Sequence, residues 1–404
     1  MTESSSFEHA EPKGLSDGSK SHDTPGLKRR EFLAIGALPL AAAVGPVNLV
    51  SPRGASVKRS QQEPIRIGMI GAGTNLRTVQ IPAFRRIPGC EIVAVANRSL
   101  ESSQRVTDEF NIPRAYANWE QLLDDDGIDA VSIGTWPYMH RTLTLAALER
   151  GKHVLTQARM ANNAQEARDM LEASLQHPDL VCQLVPTSMS YRIDNVLKRM
   201  IGEGYLGDVL SVELQRLQTR FPAVGGELDW RHDERFSGYN ILNIGASYEA
   251  MMRWLGQGNR VMAMSKLHVP YRSNAAGEPT SVVIPDHVDV LFELANGAQV
   301  HMRASETTGL STGNETWIHG SEGTIYVDRR QNVFAGRRGD SELTEVPNPR
   351  SEQAYNRVEE EFTNAIRGVE EITMAPFETG VRYMEWTEAV YHSSQTGQTV
   401  YLPV

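Results

Sequence analysis

EPIRIGMIGAGTNLRTVQIPAF, residues 63–84, decides the fold. Ile65, Ile67, Met69 and Ile70 make an apolar run that leads into Gly71-Ala72-Gly73, and a helical pattern follows from about Arg77. Strand, glycine turn and helix in that order are the context a dinucleotide fingerprint requires. Gly71 permits the tight turn. Gly73 lets the backbone approach a pyrophosphate at the helix N-terminus, with Thr74 and Asn75 in the same loop. The third glycine position falls on Leu76, a departure from the fingerprint.

The next strand, EIVAVANR (residues 91–98), ends in Asn97 and Arg98, where an acidic residue would bind the ribose hydroxyls of NAD. A neutral residue followed by arginine suits the 2′-phosphate of NADP. Arginine can also stack over adenine, so NADP is favoured and NAD is the alternative. The alternation then continues. Helices are expected over 101–110, 118–124, 138–151 and 162–176, and strands over 129–137, at His153-Val154-Leu155 and in LVCQLVP. Repeated β-α-β units with solid apolar strands predict a doubly wound parallel sheet, a Rossmann domain over 63–187. Ligands bind where such strands end. The loops there carry Gly71–Leu76, Asn97–Ser99, Thr135–His140 with Pro137, Gln157–Arg159 and Ser190–Arg192.

Residues 188–404 read as a second α/β domain. DVLSVELQRL is a strand. HVDVLFELANGAQVHMRAS (287–305) alternates on both sides of Asn296-Gly297, a hairpin signal. ETWIHGSEGTIYVD adds a strand pair, and residues 240–256 read as a helix ending near Gly256.

With 404 residues, two domains are the default. A net charge of −10, with no basic run outside the N-terminus, argues against nucleic acid as a partner. Cys90 and Cys182 are the only cysteines, without C-x-x-C or ligand-spaced histidines, so no metal is expected and both read as buried free thiols.

Residues 1–60 read as an export signal and leader outside the fold. Arg29 and Arg30 precede a weakly apolar run interrupted by Gly36, Pro39, Gly45 and Pro46, the pattern of a bacterial twin-arginine signal. Those breakers argue against a stable membrane span. A periplasmic location is expected.

The order of motifs resembles the glucose–fructose oxidoreductase/inositol dehydrogenase/MocA (Gfo/Idh/MocA) family. The resemblance rests on IGMIGAGTNLRTVQIPAF, IVAVANRS, DAVSIGTWPYMH, TLAALERGKHVL, YRIDNVLKRMIGEGYLGDVLSVE, DWRHDERFSGYNILNIGAS, GSEGTIYV and VYHSSQTGQTVYLP, in family order from about residue 63 to the C-terminus. It implies a nicotinamide cofactor on the first domain. It also implies a C-terminal domain with an open, mostly antiparallel sheet that holds a sugar or polyol and often packs against a partner's sheet.

Two departures stand out. Family members usually end the strand after Gly-Lys-His-Val in Glu-Lys-Pro, whose lysine helps move the carbinol proton; here the positions are Gln157, Ala158 and Arg159. Arginine, with a pKa above about 12, cannot be the base but can clamp an oxygen or an anion. The usual Asp-x-Gly-x-His is matched by Asn243, Gly245 and Ser247, neither end of which titrates near neutral pH. Arg159 is therefore the expected clamp, with Tyr248 or His232 carrying the proton. Tyr191, Arg192, Trp230, Arg231, Asn243 and Ser247 stand at the positions the resemblance assigns to substrate.

Three functions compete: an NADP-dependent oxidoreductase on a sugar-like substrate, a lyase, hydratase or glycosidase that recycles its cofactor, and a sugar-binding protein without chemistry. The periplasm supplies no free nicotinamide cofactor, whereas the twin-arginine route carries folded protein. A tightly held cofactor used in closed cycles is therefore expected.

Overall fold

The computed structural model describes residues 63–404, so the expected export signal lies outside the described residues. Six parallel strands form the first sheet: β1 (Ile65–Ile70), β2 (Cys90–Ala96), β3 (Arg114–Tyr116), β4 (Ala130–Ile133), β5 (His153–Thr156) and β6 (Cys182–Leu184). Their order is β3-β2-β1-β4-β5-β6, which reverses direction between β1 and β4. Helices cover both faces, so the central strands are apolar throughout: Ala130, Val131 and Ile133 are wholly buried. Ser99, Asn118 and Asn163 start three of these helices by accepting a backbone N–H with the side chain.

The second sheet is built from β7 (Val209–Leu217), β8 (Gly258–Lys266), β11 (His287–Leu294), β12 (Gln299–Ser305), β13 (Glu315–Gly320), β14 (Gly323–Val327), β15 (Val333–Arg337), β16 (Thr344–Glu345) and β17 (Val400–Tyr401). Tyr271–Ser273 (β9) and Pro279–Ser281 (β10) form a separate ribbon. The order is β16-β15-β14-β13-β7-β12-β11-β8-β17, and only β7 with β12 pairs in parallel. The sheet is thus open and mostly antiparallel. One face is buried by period-two alternation, with Val212 and Leu214, Val288 and Val290, and Val300 and Met302 pointing in. Tyr248, stacked on Trp386 at 4.4 Å, seals that core beneath the helix Phe377–Thr396.

The chain does not leave the first core for good. Val358 and Phe362, on the helix Val358–Ile366, pack with Ile65, Ile81 and Phe84 under the first sheet. Cys90 and Cys182 are free thiols, half-buried, and burial pushes both up to about 12. Among the described residues no helix is long and apolar enough to cross a membrane.

Two elements differ from the sequence expectation. The strand expected over 129–137 stops at Ile133, because Gly134 and the residues after it turn into the crevice. The helix expected from residue 240 begins at Ile244: Leu242 and Asn243 hold φ of 49° and 58°, left-handed values that no helix continues.

Candidate active site

Strand register assembles the crevice. Ile70 pairs with Ala96 and with Ile133, Ile133 with Thr156, and Thr156 with Leu184. The residues after each strand therefore line up at one edge, where the strand order reverses. This is the position at which doubly wound sheets bind dinucleotides.

A cavity of about 420 Å³ opens there, lined by Gly71, Gly73, Asn97, Arg98, Thr135 and Trp136 among others. Gly71 has φ +74°, and a Cβ on it would stand 2.5 Å from Thr135 Cγ2 and 2.8 Å from its backbone nitrogen. Glycine is required there on both counts. The missing third glycine is also accounted for. Leu76 is buried, and Gly134, at the end of β4, leaves the space it fills: a Cβ on Gly134 would overlap Leu76 Cδ1. The small residue has moved from the helix to the strand, and close helix–sheet packing is kept.

The cavity suits a dinucleotide. Gly73 is open, with nothing nearer to a Cβ than 3.9 Å. The buried Thr135 Oγ1 has no partner among the described residues. Arg98 is exposed at the rim. Asn97 has a different role from the one expected: its Oδ1 accepts from Ala72 N at 2.7 Å and its Nδ2 donates to Ser102 O at 3.0 Å. Its amide braces the glycine turn.

Three further residues expected at the cofactor stand as follows. Thr74 is exposed and does not line the cavity; its carbonyl caps Thr78 Oγ1 at 2.8 Å. Pro137 is buried at the start of a short turn, and Trp136 and Tyr138 line the cavity in its place. His140 is buried between carbonyls, with Nδ1 2.9 Å from Arg159 O and Nε2 2.9 Å from Thr135 O. Burial pulls its pKa below the usual imidazole range. It ties the loops after β4 and β5 together.

A second cavity, of about 290 Å³, adjoins the end of β5 and is lined by Asn75, Gln157, Arg159, Trp230 and Gly245. Gln157 Nε2 donates to Asn75 Oδ1 at 3.0 Å, linking two of the expected cofactor loops. Arg159 follows a cis peptide bond. Its Nη2 donates to Asn243 Oδ1 at 2.8 Å, its Nη1 to Ser237 O at 3.4 Å, and it lies 5.9 Å from the Trp230 ring centre. Burial pulls its guanidinium down to about 9, helped by the Arg231 charge and opposed by Tyr383. The group stays cationic at neutral pH, as expected of an arginine that cannot serve as the base.

A third cavity, of about 270 Å³, shares Asn240, Asn243 and Arg231 with the second and is lined also by Arg216, His232, Ser247 and Glu306. His232 Nδ1 accepts from Asp229 N at 3.2 Å, which leaves the hydrogen on Nε2, 3.7 Å from Glu306 Oε2. Glu306 is held below the usual carboxylate range, first by His232 and then by Arg272, whose Nη2 lies 3.0 Å away. Arg231 stacks on Trp230 at 4.3 Å and is paired with Asp229 at 3.3 Å.

Tyr248 does not belong to this site. It is 1% exposed, its hydroxyl accepts from Gly258 N at 2.8 Å, and burial pushes its pKa up to about 12. Helical spacing turns it to the core side, one residue past Ser247, so it carries no proton here. Tyr191 and Arg192 are also elsewhere. Tyr191 is buried 4.9 Å from Arg253, and Arg192 reaches out to Arg330 O at 2.9 Å. The loop before them ends at Ser190 and launches their helix along the second domain. Sequence reasoning missed Arg216, Glu306, Asn240 and Tyr383. The one available signal was Arg216, a cation at an inward position of the β7 alternation after Val212 and Leu214.

Comparison with known proteins agrees with this geometry. Residues 65–183 match the "Oxidoreductase family, NAD-binding Rossmann fold" of the GFO/IDH/MocA group, and residues 195–326 match the GFO/IDH/MocA C-terminal domain. Levoglucosan dehydrogenase of Pseudarthrobacter phenanthrenivorans is 25% identical over 308 residues, 68% of this chain and 78% of that protein. D-xylose 1-dehydrogenase (NADP(+)) 2 of Haloferax volcanii is 26% identical over 346 residues, 83% of this chain and 99% of that protein. A structure of levoglucosan dehydrogenase with NADH and levoglucosan superposes with a TM-score of 0.73 at 22% identity, covering 84% of this chain and 100% of the other, a likeness of fold.

Proposed function

Because the chain belongs to the Gfo/Idh/MocA family of NAD(P)-dependent oxidoreductases, we propose that it oxidises or reduces a hydroxyl-bearing carbon of a sugar or polyol, with NADP the preferred cofactor. Bound NAD(P) supplies the hydride acceptor or donor. The observation that carries the reading is the aligned edge, where the glycine turn, Arg98, Thr135 and Arg159 stand on successive strand ends. Levoglucosan and D-xylose dehydrogenases among the relatives favour a carbohydrate as the substrate class.

The chain's own residues divide the work as follows. Arg98 meets the 2′-phosphate. Gln157 and Asn75 hold the two loops at the nicotinamide end in register. Arg159, fixed by Asn243, offers its remaining N–H groups to the reacting oxygen and stabilises charge there. It takes no proton. His232 lies on the adjoining cavity with its Nε2–H toward Glu306, so in this tautomer it can donate a hydrogen bond there but cannot take the proton of the hydroxyl at Nε2. Titration of Trp136 fluorescence with NADPH tests the cofactor assignment, since Trp136 lines the cavity. Quenching in the wild type and none in Gly71→Val is expected; equal quenching in both refutes the site.

We further propose export by the twin-arginine route with the cofactor already bound, from the Arg29-Arg30 pair and the broken apolar run after it. Arg29→Lys with Arg30→Lys should retain the protein in the cytoplasm, and normal periplasmic levels would refute it. A homo-oligomer through the open face of the second sheet is supported by outward-facing Met262, Met264 and Leu291. Leu291→Arg should then lower the sedimentation coefficient; an unchanged value refutes this face as the contact.

A further inference from the structure

Arg216 stands at the inward end of β7, where alternation turns it from the sheet toward the crevice. It is a cation in a largely enclosed place with no carboxylate partner among the described residues. Its Nε donates to Ser247 Oγ at 3.2 Å and its Nη1 to Gln215 O at 2.9 Å, both neutral acceptors. No partner is seen for Nη2 among the described residues, and the side chain lines the 270 Å³ cavity. The other charges on that cavity are already matched: Glu306 with Arg272 and His232, and Arg231 with Asp229. Burial pulls the Arg216 guanidinium down to about 10.

The surroundings were arranged without one. Ser247 stands where relatives of the family type carry the histidine of Asp-x-Gly-x-His, and Asn243, four residues earlier, receives Arg159 in the same way. Both arginines thus meet neutral side chains on one helix start. A half-buried cation left without a counter-charge is costly, and a ligand anion removes that cost.

We infer that this cavity takes a substrate bearing a carboxylate, a uronic or aldonic acid, with Arg216 as its anchor through the free Nη edge. The inference takes the sugar skeleton from the oxidoreductase reading above, while the anion site stands on Arg216 alone. A planar carboxylate matches the fork of one guanidinium. A monoanion also balances a single uncompensated charge, whereas a phosphate dianion would meet Glu306 on the same wall.

The test is thermal unfolding of the full chain in the presence of D-glucuronate, D-galacturonate and D-gluconate. Each is set against D-glucose, D-galactose and D-glucitol, with D-glucose 6-phosphate as a further arm, at matched ionic strength and with or without NADPH. At least one acid should raise the midpoint well above its neutral counterpart. Arg216→Gln, which keeps a hydrogen-bonding side chain beside Ser247, should weaken that acid about 30-fold or more. Arg216→Lys should retain part of the preference. Neutral sugars binding as well as every acid, a tighter sugar phosphate, or an acid preference that survives Arg216→Gln would each overturn the inference. NADPH binding is measured on the same samples. NADPH bound without acid preference sinks this inference alone, and acid preference without NADPH binding sinks the oxidoreductase reading alone.

Discussion

Replacing Arg159 separates a clamp on the reacting oxygen from a brace for its loop. The loop itself is held through the backbone: His140 Nδ1 lies 2.9 Å from Arg159 O, and Met160 N donates to Tyr383 Oη. Neither bond uses the Arg159 side chain, so Arg159→Ala and Arg159→Lys should leave the loop in place. The guanidinium gives one N–H to Asn243 at 2.8 Å and a weaker one to Ser237 O at 3.4 Å, and its other N–H groups face the cavity. Losing such a donor to a developing oxyanion costs about 2–4 kcal/mol, or about 30- to 1000-fold in kcat/KM. Lysine keeps the charge but cannot hold Asn243 and the substrate oxygen together, so Arg159→Lys should fall in the same range. Steady-state kinetics at saturating NADP, beside thermal midpoints within a few degrees of wild type, are the assay. Near-normal kcat/KM in both variants, with folding intact, would refute the clamp.

Arg98→Ala should weaken NADPH about 10-fold or more while changing NADH little, by fluorescence titration; equal losses would point to adenine stacking. Glu359 is buried with one carboxylate oxygen unpartnered, and burial pushes it from 4.5 up to about 7. Because its folded pKa is the higher one, its contribution is fully present below the unfolded value and is lost as pH rises through about 7. Glu359→Gln should therefore gain on wild type by about 2–3 kcal/mol between about pH 5 and about pH 8, read from urea unfolding. Gly134→Ala should cost about 1–3 kcal/mol by forcing Leu76 aside, and Leu76→Ala in the same chain should recover part of it; strict additivity would mean the two do not share space.

The cofactor edge was legible because its signals are local and periodic. A strand, a positive-φ glycine and a helix within 22 residues fix the turn, and solid strands of similar length fix the register that lines up residues 71, 97, 134 and 157. The substrate side was less legible because it is set by directions that spacing alone does not give. Residues 240–243 look helical by composition, but two left-handed residues break them from the helix, so Asn243 caps Arg159 from outside it. Tyr248 and Ser247 are neighbours in sequence and lie on different sides of that helix, one against Trp386 and the other at the cavity. Asn97 illustrates a further limit: a side chain at a cofactor position is spent on the loop that holds the cofactor.

The most direct test of the whole account is the absorbance and mass spectrum of the full chain purified without added cofactor, followed by addition of the sugar and sugar-acid panel. The account predicts a bound nicotinamide dinucleotide, NADP before NAD, whose reduced-form near-ultraviolet band rises or falls when a substrate of the panel is added. Protein that carries no dinucleotide, and that binds neither NADPH nor NADH at millimolar concentration, would contradict it.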